Sequence, residues 1–283
     1  MKVRLAKRTG FCFGVKRAVD MAEAALKKEK PICSLGSIIH NEQVVNALAR
    51  RGLKTAKAET DIKCGTCVIS SHGISPFIAK RISDRGVKII DTTCPFVLRA
   101  QRTAKSLSAA GYEVIIVGDA KHPEVRALVD FVSTKAIVVR DGREARRLKL
   151  EAGKKYIVIA QTTQGRVNFA DSVKALSANR TKDLKVFDTI CRDAGERQAA
   201  AMRLARTVDA MIVVGGRSSA NTRRLYEVSK REAKVAHLIE TEAEIRDSWL
   251  KGKTSVGVTS GASTPDWVVE KVVKKIIRLR QQQ

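Results

Sequence analysis

The sequence lacks any long apolar segment. Nowhere among its 283 residues does an apolar run approach the roughly 18 residues that a membrane-spanning helix needs. The basic N-terminal segment, residues 1–14, is followed by no apolar stretch of the kind found in secretion signals. We therefore expect a cytoplasmic protein with no signal peptide and no membrane partner.

Acidic and aromatic residues are also scarce. The chain has 29 Asp and Glu against 54 Lys and Arg, a net charge of +25, and aromatic residues make up 4% of it. Such an excess favours anionic partners, whether nucleic acid, a phosphorylated substrate or an acidic protein. The basic residues, however, are spread along the chain in pairs and short clusters, which is typical of a solvated surface. With few aromatics and no RNA-recognition or zinc-finger signature, a nucleic-acid-binding protein is the alternative interpretation and not the favoured one.

Disulfides are not expected in a chain of this kind. It has 6 cysteines but no secretion signal, and it exceeds the size that usually needs disulfide stapling. Its length and its 44% hydrophobic content allow two or three compact units with a sizeable core. We expect reduced thiols, some of them bound to metal.

Three of the cysteines mark an internal repeat. After each one come a helix-like segment, a short strand-like segment and then a glycine, and four residues beyond the glycine stands a polar side chain. The cysteines are Cys12, Cys94 and Cys191, the glycines are Gly36, Gly118 and Gly215, and the polar residues are His40, His122 and Ser219. A fixed spacing that recurs three times indicates repeated structural units.

Each repeat alternates helices with strands. Apolar residues fall at helical spacing after each cysteine, and short apolar runs such as Val114 to Val117 predict buried strands. A later strand in each repeat leads into a second polar loop, which carries His72, Thr162 or Ser263. The segment Lys2 to Leu5 resembles the strands that precede Cys94 and Cys191, so we expect it to complete the third repeat.

These elements predict an α/β fold of three small domains with mainly parallel sheets, in a pseudo-threefold arrangement around a central iron-sulfur cluster. The predicted domains are residues 12–93, 94–190 and 191–283, the last completed by residues 1–11. In parallel sheets, ligands gather at loops beyond the carboxyl ends of the strands. All the cysteine and polar loops lie at such ends.

Cysteine thiolates are the usual ligands of iron-sulfur clusters, and three thiolates on a cubane leave one iron open. An open iron could act as a Lewis acid towards a substrate oxygen while the cluster supplies electrons. A single buried cysteine is more often a small core residue, but three in register favour ligation. A zinc hydrolase using the same three cysteines is a further alternative, and it would be colourless.

The polar loops suit a phosphate or diphosphate. Several donors at helix N-termini would converge there, and the candidates are His40, His72, His122, Thr162, Ser219, Asn221 and Ser263. Glu124 is the carboxylate of these loops that lies beside a histidine, and we interpret it as a proton donor. The alternative for Glu124 is a helix N-terminal residue favoured by the macrodipole. His237, inside Val235-Ala236-His237-Leu238, is predicted to be structural.

At these residues the chain resembles a known family. The segments that carry the resemblance are Gly10-Phe11-Cys12-Phe13-Gly14-Val15, Ser71-His72-Gly73, Asp91-Thr92-Thr93-Cys94-Pro95, Gly118-Asp119-Ala120-Lys121-His122-Pro123-Glu124, Gln161-Thr162-Thr163, Asp188-Thr189-Ile190-Cys191 and Gly261-Ala262-Ser263. In this order, over nearly the whole chain, they are similar to the IspH or LytB family of 4-hydroxy-3-methylbut-2-enyl diphosphate reductases.

The resemblance implies the last step of the methylerythritol phosphate route to isoprenoids, a two-electron removal of an allylic hydroxyl that gives isopentenyl and dimethylallyl diphosphates. It implies a 4Fe-4S cluster held by Cys12, Cys94 and Cys191 with one open iron. His40, His72, His122, Ser219, Asn221 and Ser263 would grip the diphosphate, and Glu124 would deliver protons through Thr162 and the substrate's phosphate. Ferredoxin or flavodoxin would supply electrons. We expect a monomer or weak homodimer.

The chain departs from the family pattern at a few positions. Ala220 stands where the family commonly has serine in the third glycine loop, and Ala194 stands where a threonine is common. These changes leave room for a paralogue that acts on a related phosphorylated substrate. Cys64 and Cys67 form a CxxC outside the family pattern. Because no second pair completes a zinc site, we interpret them as incidental thiols.

Overall fold

The computed structural model describes residues 1–281 and contains three sheets of four strands each. The strands are β1 (Lys2–Leu5), β2 (Ile32–Leu35), β3 (Leu53–Ala56), β4 (Thr66–Ile69), β5 (Lys88–Asp91), β6 (Tyr112–Val117), β7 (Ala136–Val139), β8 (Lys155–Ala160), β9 (Asp183–Val186), β10 (Ala210–Val214), β11 (Ala236–Ile239) and β12 (Ser255–Ser260).

Most connections between the strands contain a helix, as is usual for parallel pairing. They are α1 (Phe13–Lys28), α2 (Glu42–Arg50), α3 (Pro76–Asp84), α4 (Pro95–Ala109), α5 (Pro123–Val129), α6 (Gly142–Arg147), α7 (Arg166–Leu176), α8 (Arg192–Ala205), α9 (Ala220–Glu232) and α10 (Asp266–Gln281). Short 3₁₀ turns occupy Glu59–Asp61, Glu242–Glu244 and Asp247–Trp249.

The three sheets share one strand order. They read β3-β2-β4-β5, β7-β6-β8-β9 and β11-β10-β12-β1, and every pairing between their strands is parallel. The predicted α/β class with parallel sheets is therefore confirmed, and each sheet repeats the same plan.

The N-terminal strand completes the last sheet, as the sequence predicted. β1 pairs in parallel with β12, with Lys2 opposite Ser255 and Leu5 opposite Val258. It takes the edge position that β5 and β9 hold in the other two sheets. Chain segments more than 250 residues apart thus build one sheet.

The central strands are buried on both faces. Val114, Val117, Met211 and Val214 are all 0% exposed, which explains why their segments are continuous apolar runs and not alternating ones. The helices pack their small apolar faces on these strands. Ala100 and Ala104 of α4, for example, join the cluster around β6 and β8.

By its internal contacts the chain forms two compact units. Unit A consists of Met1–Lys16, Ile39–Ala47 and the chain from Arg192 onward, and it contains the sheet β11-β10-β12-β1. Unit B consists of Arg17–Ile38 and Leu48–Cys191, and it contains the other two sheets. The domain boundaries at residues 94 and 191 stay a prediction.

Each sheet has one edge strand that the sequence did not predict. These strands are β3, β7 and β11, each 4 residues long and each paired with the first strand after a repeat cysteine. Their apolar residues are few or only partly buried, as in Leu53-Lys54-Thr55-Ala56, so they give weak periodic signals.

One prediction about the cysteines is wrong. Cys33 and Cys64 form a disulfide inside the apolar cluster of unit B that also contains the buried Cys67 thiol. Cys33 lies on β2 and Cys64 just before β4, so neighbouring strands bring the two residues together. The two cysteines of the CxxC do not pair with each other. Burial raises the pKa of the Cys67 thiol, which keeps it protonated and unreactive.

Removing the Cys33–Cys64 disulfide should lower the free energy of unfolding. The disulfide spans 31 residues of sequence, and closing a loop of that length stabilises a fold by about 3–4 kcal/mol in the chain-entropy account. We expect Cys33→Ala to lower the midpoint of denaturant unfolding clearly. The matched control is Cys67→Ala, because Cys67 is the register neighbour of Cys33 but forms no disulfide. Equal midpoints for the two variants would show that the disulfide contributes nothing.

Candidate functional site

The three repeat cysteines occupy equivalent places. Each lies directly before a helix, with Cys12 before α1, Cys94 before α4 and Cys191 before α8. Each backbone N–H donates to a carbonyl of the second polar loop of a repeat. The bonds run from Cys12 to Ala262 at 3.0 Å, from Cys94 to Ser71 at 3.0 Å and from Cys191 to Thr162 at 2.8 Å.

These cysteines suit metal ligation better than the other three. They are thiols and partly exposed, whereas Cys33 and Cys64 are disulfide-bonded and Cys67 is 0% exposed. A helix N-terminus also favours negative charge, and the backbone N–H of Val15 lies 3.4 Å from the Sγ of Cys12. Partly exposed thiols placed before helices are ligands of the kind that iron-sulfur clusters use.

In unit B, two histidines meet at the ends of β4 and β6. The rings of His72 and His122 lie edge to face with centroids 5.4 Å apart. His122 caps α5, and its Nδ1 accepts the N–H of Glu124 at 3.2 Å. The proton of the neutral ring is therefore on Nε2, where it can be donated to an anion.

Glu124 is a buried carboxyl held by one partner residue. It is 2% exposed, and Thr162 donates its backbone N–H to Oε1 at 2.6 Å and its hydroxyl to Oε2 at 2.7 Å. Burial raises the pKa of Glu124 to about 7, against the two bonds from Thr162, which lower it. A carboxyl that changes protonation near neutral pH is suited to giving and taking protons.

A glycine keeps the His72 loop in place. Gly73 has φ of +79°, and a Cβ there would lie 2.5 Å from Nε2 of the buried Gln101 on α4. Another side chain at this position would be strained by the positive φ and would have to move the side chain of Gln101. Because α4 follows Cys94, the same contact relates the histidine loop to the helix of the cysteine.

In unit A, His40 lies against the two polar loops of that unit. Its backbone carbonyl accepts the hydroxyl of Ser263 at 3.0 Å, and a Cβ at Gly216 would lie 2.5 Å from the same oxygen. The third glycine loop can approach His40 so closely only because Gly216 has no side chain. Burial, and then the charge of Arg223, lower the pKa of His40, so its ring is neutral at neutral pH.

Ser219 and Asn221 begin α9 in the same unit. Ser219 caps the helix and its Oγ accepts the N–H of Thr222 at 3.3 Å, which leaves its hydroxyl proton to donate elsewhere. Asn221 is 5% exposed, and neither atom of its amide has a hydrogen-bond partner among residues 1–281. A buried amide in this state needs an explanation, and a bound polar ligand supplies one.

The two departures from the family pattern lie at the starts of α9 and α8. Ala220 is the first residue of α9, between Ser219 and Asn221, and it brings no hydroxyl to the loop. Ala194 is buried in the first turn of α8, 4% exposed. His237 lies on β11 and stacks on Trp249 with centroids 3.7 Å apart.

The sequence missed two residues that shape the site. Gln161 lies at the end of β8, and its Oε1 accepts the N–H of Asp119 at 3.0 Å, which joins the loops of His122 and Thr162. Its only sequence signal was its place at the head of the Gln-Thr-Thr loop. Arg223, which affects His40, lies among several basic residues of α9 and had no distinct signal.

Fold and site together define a class: an α/β protein of three parallel sheets whose repeat cysteines and polar loops lie at strand ends. The chain belongs to the LytB protein family, which matches residues 3–277.

Relatives in this family carry a specific name. The chain is 45% identical to 4-hydroxy-3-methylbut-2-enyl diphosphate reductase of Geobacter metallireducens over 98% of this chain and 97% of the relative. It is 46% identical to the reductase of the same name from Pelobacter propionicus, over 98% of both chains.

Two solved structures are similar as well. One, described as (E)-4-hydroxy-3-methyl-but-2-enyl diphosphate reductase, the terminal enzyme of the non-mevalonate pathway, has a TM-score of 0.70 and 38% identity and covers 98% of this chain and 100% of its own. The other, the E-1-hydroxy-2-methyl-but-2-enyl-4-diphosphate reductase from Plasmodium falciparum, has a TM-score of 0.91 and 28% identity. The match covers 96% of this chain and 87% of the other.

None of the helices in residues 1–281 is long and apolar enough to cross a membrane.

Proposed function

We propose that this chain reduces (E)-4-hydroxy-3-methylbut-2-enyl diphosphate to isopentenyl and dimethylallyl diphosphates, the last step of the methylerythritol phosphate pathway. The allylic hydroxyl leaves as water, and two electrons and two protons are consumed. The observation that carries the proposal is the buried Glu124–Thr162 pair beside His122, in a chain 45% identical over nearly its full length to a reductase of this name.

The proposed cofactor is a 4Fe-4S cluster on Cys12, Cys94 and Cys191. When bound, it would supply the electrons and an open iron for the substrate hydroxyl. The equivalent hydrogen bonds of the three cysteines, and their partial exposure, support this ligand set. The cysteines hold the cluster, and the rest of the chemistry depends on the polar side chains.

The diphosphate is proposed to bind to side-chain donors. In unit B these are His72 and His122, and Nδ1 of His122 accepts a backbone N–H, which leaves its Nε2 to donate. In unit A they are His40, Ser219, Asn221 and Ser263. The unpartnered amide of Asn221 supports this assignment, because its N–H groups would gain acceptors from a diphosphate.

Glu124 is the proposed proton source. Its carboxyl proton would pass through the hydroxyl of Thr162, which lies 2.7 Å away, to the substrate's phosphate and then to the reacting carbon or oxygen. Burial keeps Glu124 protonated in a useful fraction of molecules near neutral pH. The hydroxyl of Thr162 serves as the relay, and its backbone N–H holds the carboxyl in place.

The proposed electron donor is ferredoxin or flavodoxin, acidic proteins that a chain of net charge +25 attracts. A cytoplasmic location and a monomer or weak homodimer are part of the same proposal. A paralogue acting on a related phosphorylated substrate is the second candidate, and the alanine at position 220 is the observation that favours it.

The pKa of Glu124 predicts a pH dependence. A proton donor must be protonated, and the pKa of this carboxyl is raised to about 7. We therefore expect kcat/KM to fall as pH rises through about 7, because it reports the free enzyme's groups. A profile that stays flat through this range would contradict the assignment of Glu124 as the donor.

Ala220 predicts a gain in affinity. Restoring the hydroxyl by Ala220→Ser would add one hydrogen bond to the diphosphate, so KM should fall about fivefold, which corresponds to about 1 kcal/mol. Steady-state kinetics of the two proteins check this. An unchanged KM would mean that this position does not face the diphosphate.

Turnover tests the proposed function. The protein, purified without oxygen and supplied with a chemical one-electron reductant, should convert the allylic diphosphate to the two isopentenyl products, detected by mass spectrometry. A protein that is fully loaded with cluster but gives no product would reject this substrate. Product formed only from another allylic phosphate would favour the paralogue.

A further inference from the structure

Unit A contains a cavity apart from the residues assigned above. Its volume is about 570 Å³, within the range of small-molecule sites. It lies beside β11 and α9, is open to the surface, and is lined in part by the 3₁₀ turns that follow β11. It is lined by Arg217, Tyr226, His237, Leu238, Ala243, Glu244, Arg246 and Trp249.

The cavity presents aromatic rings together with a cation. Trp249 stacks on His237 with an angle of 3° between the rings, and Tyr226 contributes a third ring to the lining. The guanidinium of Arg246 lies 5.9 Å from the Trp249 centroid. Among residues 1–281 Arg246 pairs with no carboxylate, so its charge is available to a ligand.

The second arginine of the lining, Arg217, forms an ion pair and joins the cavity to the loop of Ser219. The side chain of Arg217 forms an ion pair with Glu244, and its backbone N–H donates to Glu240 at 2.8 Å. Arg217 lies two residues before Ser219, in the loop proposed to hold the diphosphate. The carbonyl of Glu240 also accepts the side-chain amide of Gln43, three residues beyond His40, at 2.8 Å.

We propose that this cavity binds a small aromatic anion, of the size of a nucleoside monophosphate, and that its occupancy changes substrate affinity through Arg217. The rings would pack on the aromatic part, and Arg246 would bind the phosphate or carboxylate. A ligand that competes with Glu244 for Arg217 would alter the loop of Ser219. The binding claim stands by itself, whereas the effect on substrate affinity rests on the proposed function.

The chain offers a direct optical test. It has 2 tryptophans, so Trp267→Phe leaves Trp249 as the single emitter. Trp267 is exposed and lies on α10, outside the cavity lining. Adenosine monophosphate is the probe, added to the cluster-loaded Trp267→Phe protein while Trp249 emission is recorded. We expect a saturable change in emission, and adding Arg246→Gln should weaken binding about tenfold or more.

Controls separate the parts of the proposal. Arg231→Gln on α9 removes an exposed arginine outside the cavity and should leave the titration unchanged. Inorganic phosphate alone should bind far more weakly than the nucleotide. No emission change, equal affinity in the Arg246→Gln protein, or equal affinity for inorganic phosphate would each overturn the binding claim. Binding without any change in KM for the diphosphate would overturn the coupling to Arg217.

Discussion

Replacing Glu124 by glutamine should lower kcat by about a hundredfold to ten-thousandfold, the range that positioned proton transfer contributes. Cluster content and substrate affinity should stay close to those of the parent. The amide has the same shape as the carboxyl but cannot release a proton near neutral pH. The measurement is kcat and KM under anaerobic conditions, with iron content determined on the same samples.

The geometry explains why the loss should be so large. Both oxygens of Glu124 bind Thr162, and the residue is 2% exposed, so water cannot easily substitute for it. Glutamine can still accept one of the two bonds from Thr162, and the loop should keep its position. The fall of kcat/KM above a pH of about 7 should also disappear in this variant, which a merely structural role would not predict.

The matched control is Asp130→Asn. Asp130 is an exposed carboxyl at the end of the same helix, α5, and the same chemical change there should leave kcat unaltered. Thr162→Val provides a second test, because it removes the relay hydroxyl and keeps the backbone N–H bond to Glu124. Full activity in Glu124→Gln would show that the proton reaches the substrate by another route.

Replacing Cys94 by serine should remove the cluster and with it nearly all turnover. A cubane bound by only two thiolates is expected to be lost during purification, since serine is a poor ligand for iron. The measurements are iron content and visible absorbance, and they do not depend on activity. Cys191→Ser should behave in the same way, because its backbone forms the equivalent hydrogen bond.

Cys67→Ala is the control for this experiment. Cys67 is a buried thiol on β4, and we expect its replacement to leave iron content unchanged. Circular dichroism of the Cys94→Ser protein should match that of the parent after its cluster is removed, which separates ligand loss from unfolding. Full iron content in Cys94→Ser would show that Cys94 is not a ligand.

The sequence predicted the parts of the fold that depend on long apolar runs and on fixed spacing. β6, β8 and β10 contain continuous apolar runs because both faces of these runs are buried. The likeness of Lys2–Leu5 to the strands before Cys94 and Cys191 was enough to assign β1 to the third repeat, where it pairs with β12. The likeness between repeats indicated this assignment, which the strand propensity of four residues alone does not.

Other features depend on pairings that no local pattern records. Cys33 and Cys64 meet because β2 and β4 are neighbours, although 31 residues separate them. The first turns of α8, from Arg192, are largely polar, so apolar spacing does not mark them. Arg197, 2% exposed, is buried there through its ion pair with Asp193.

In the candidate site, too, some features follow from the sequence and others only from packing. Its residues could be chosen from their place after strands, but the state of Glu124 could not, because its raised pKa comes from burial by the folded chain. The unpartnered amide of Asn221 and the cavity beside Arg217 are likewise properties of packing. Sequence patterns indicate which side chains take part, and the fold determines their protonation and their partners.

The central claim is that three cysteine thiolates hold an iron-sulfur cluster in this chain. Anaerobic purification, followed by a visible spectrum and by iron and sulfide analysis, tests it most directly. We predict a brown protein with about four irons and about four sulfides per chain. A colourless protein that contains zinc, or that contains neither iron nor sulfide, would contradict it.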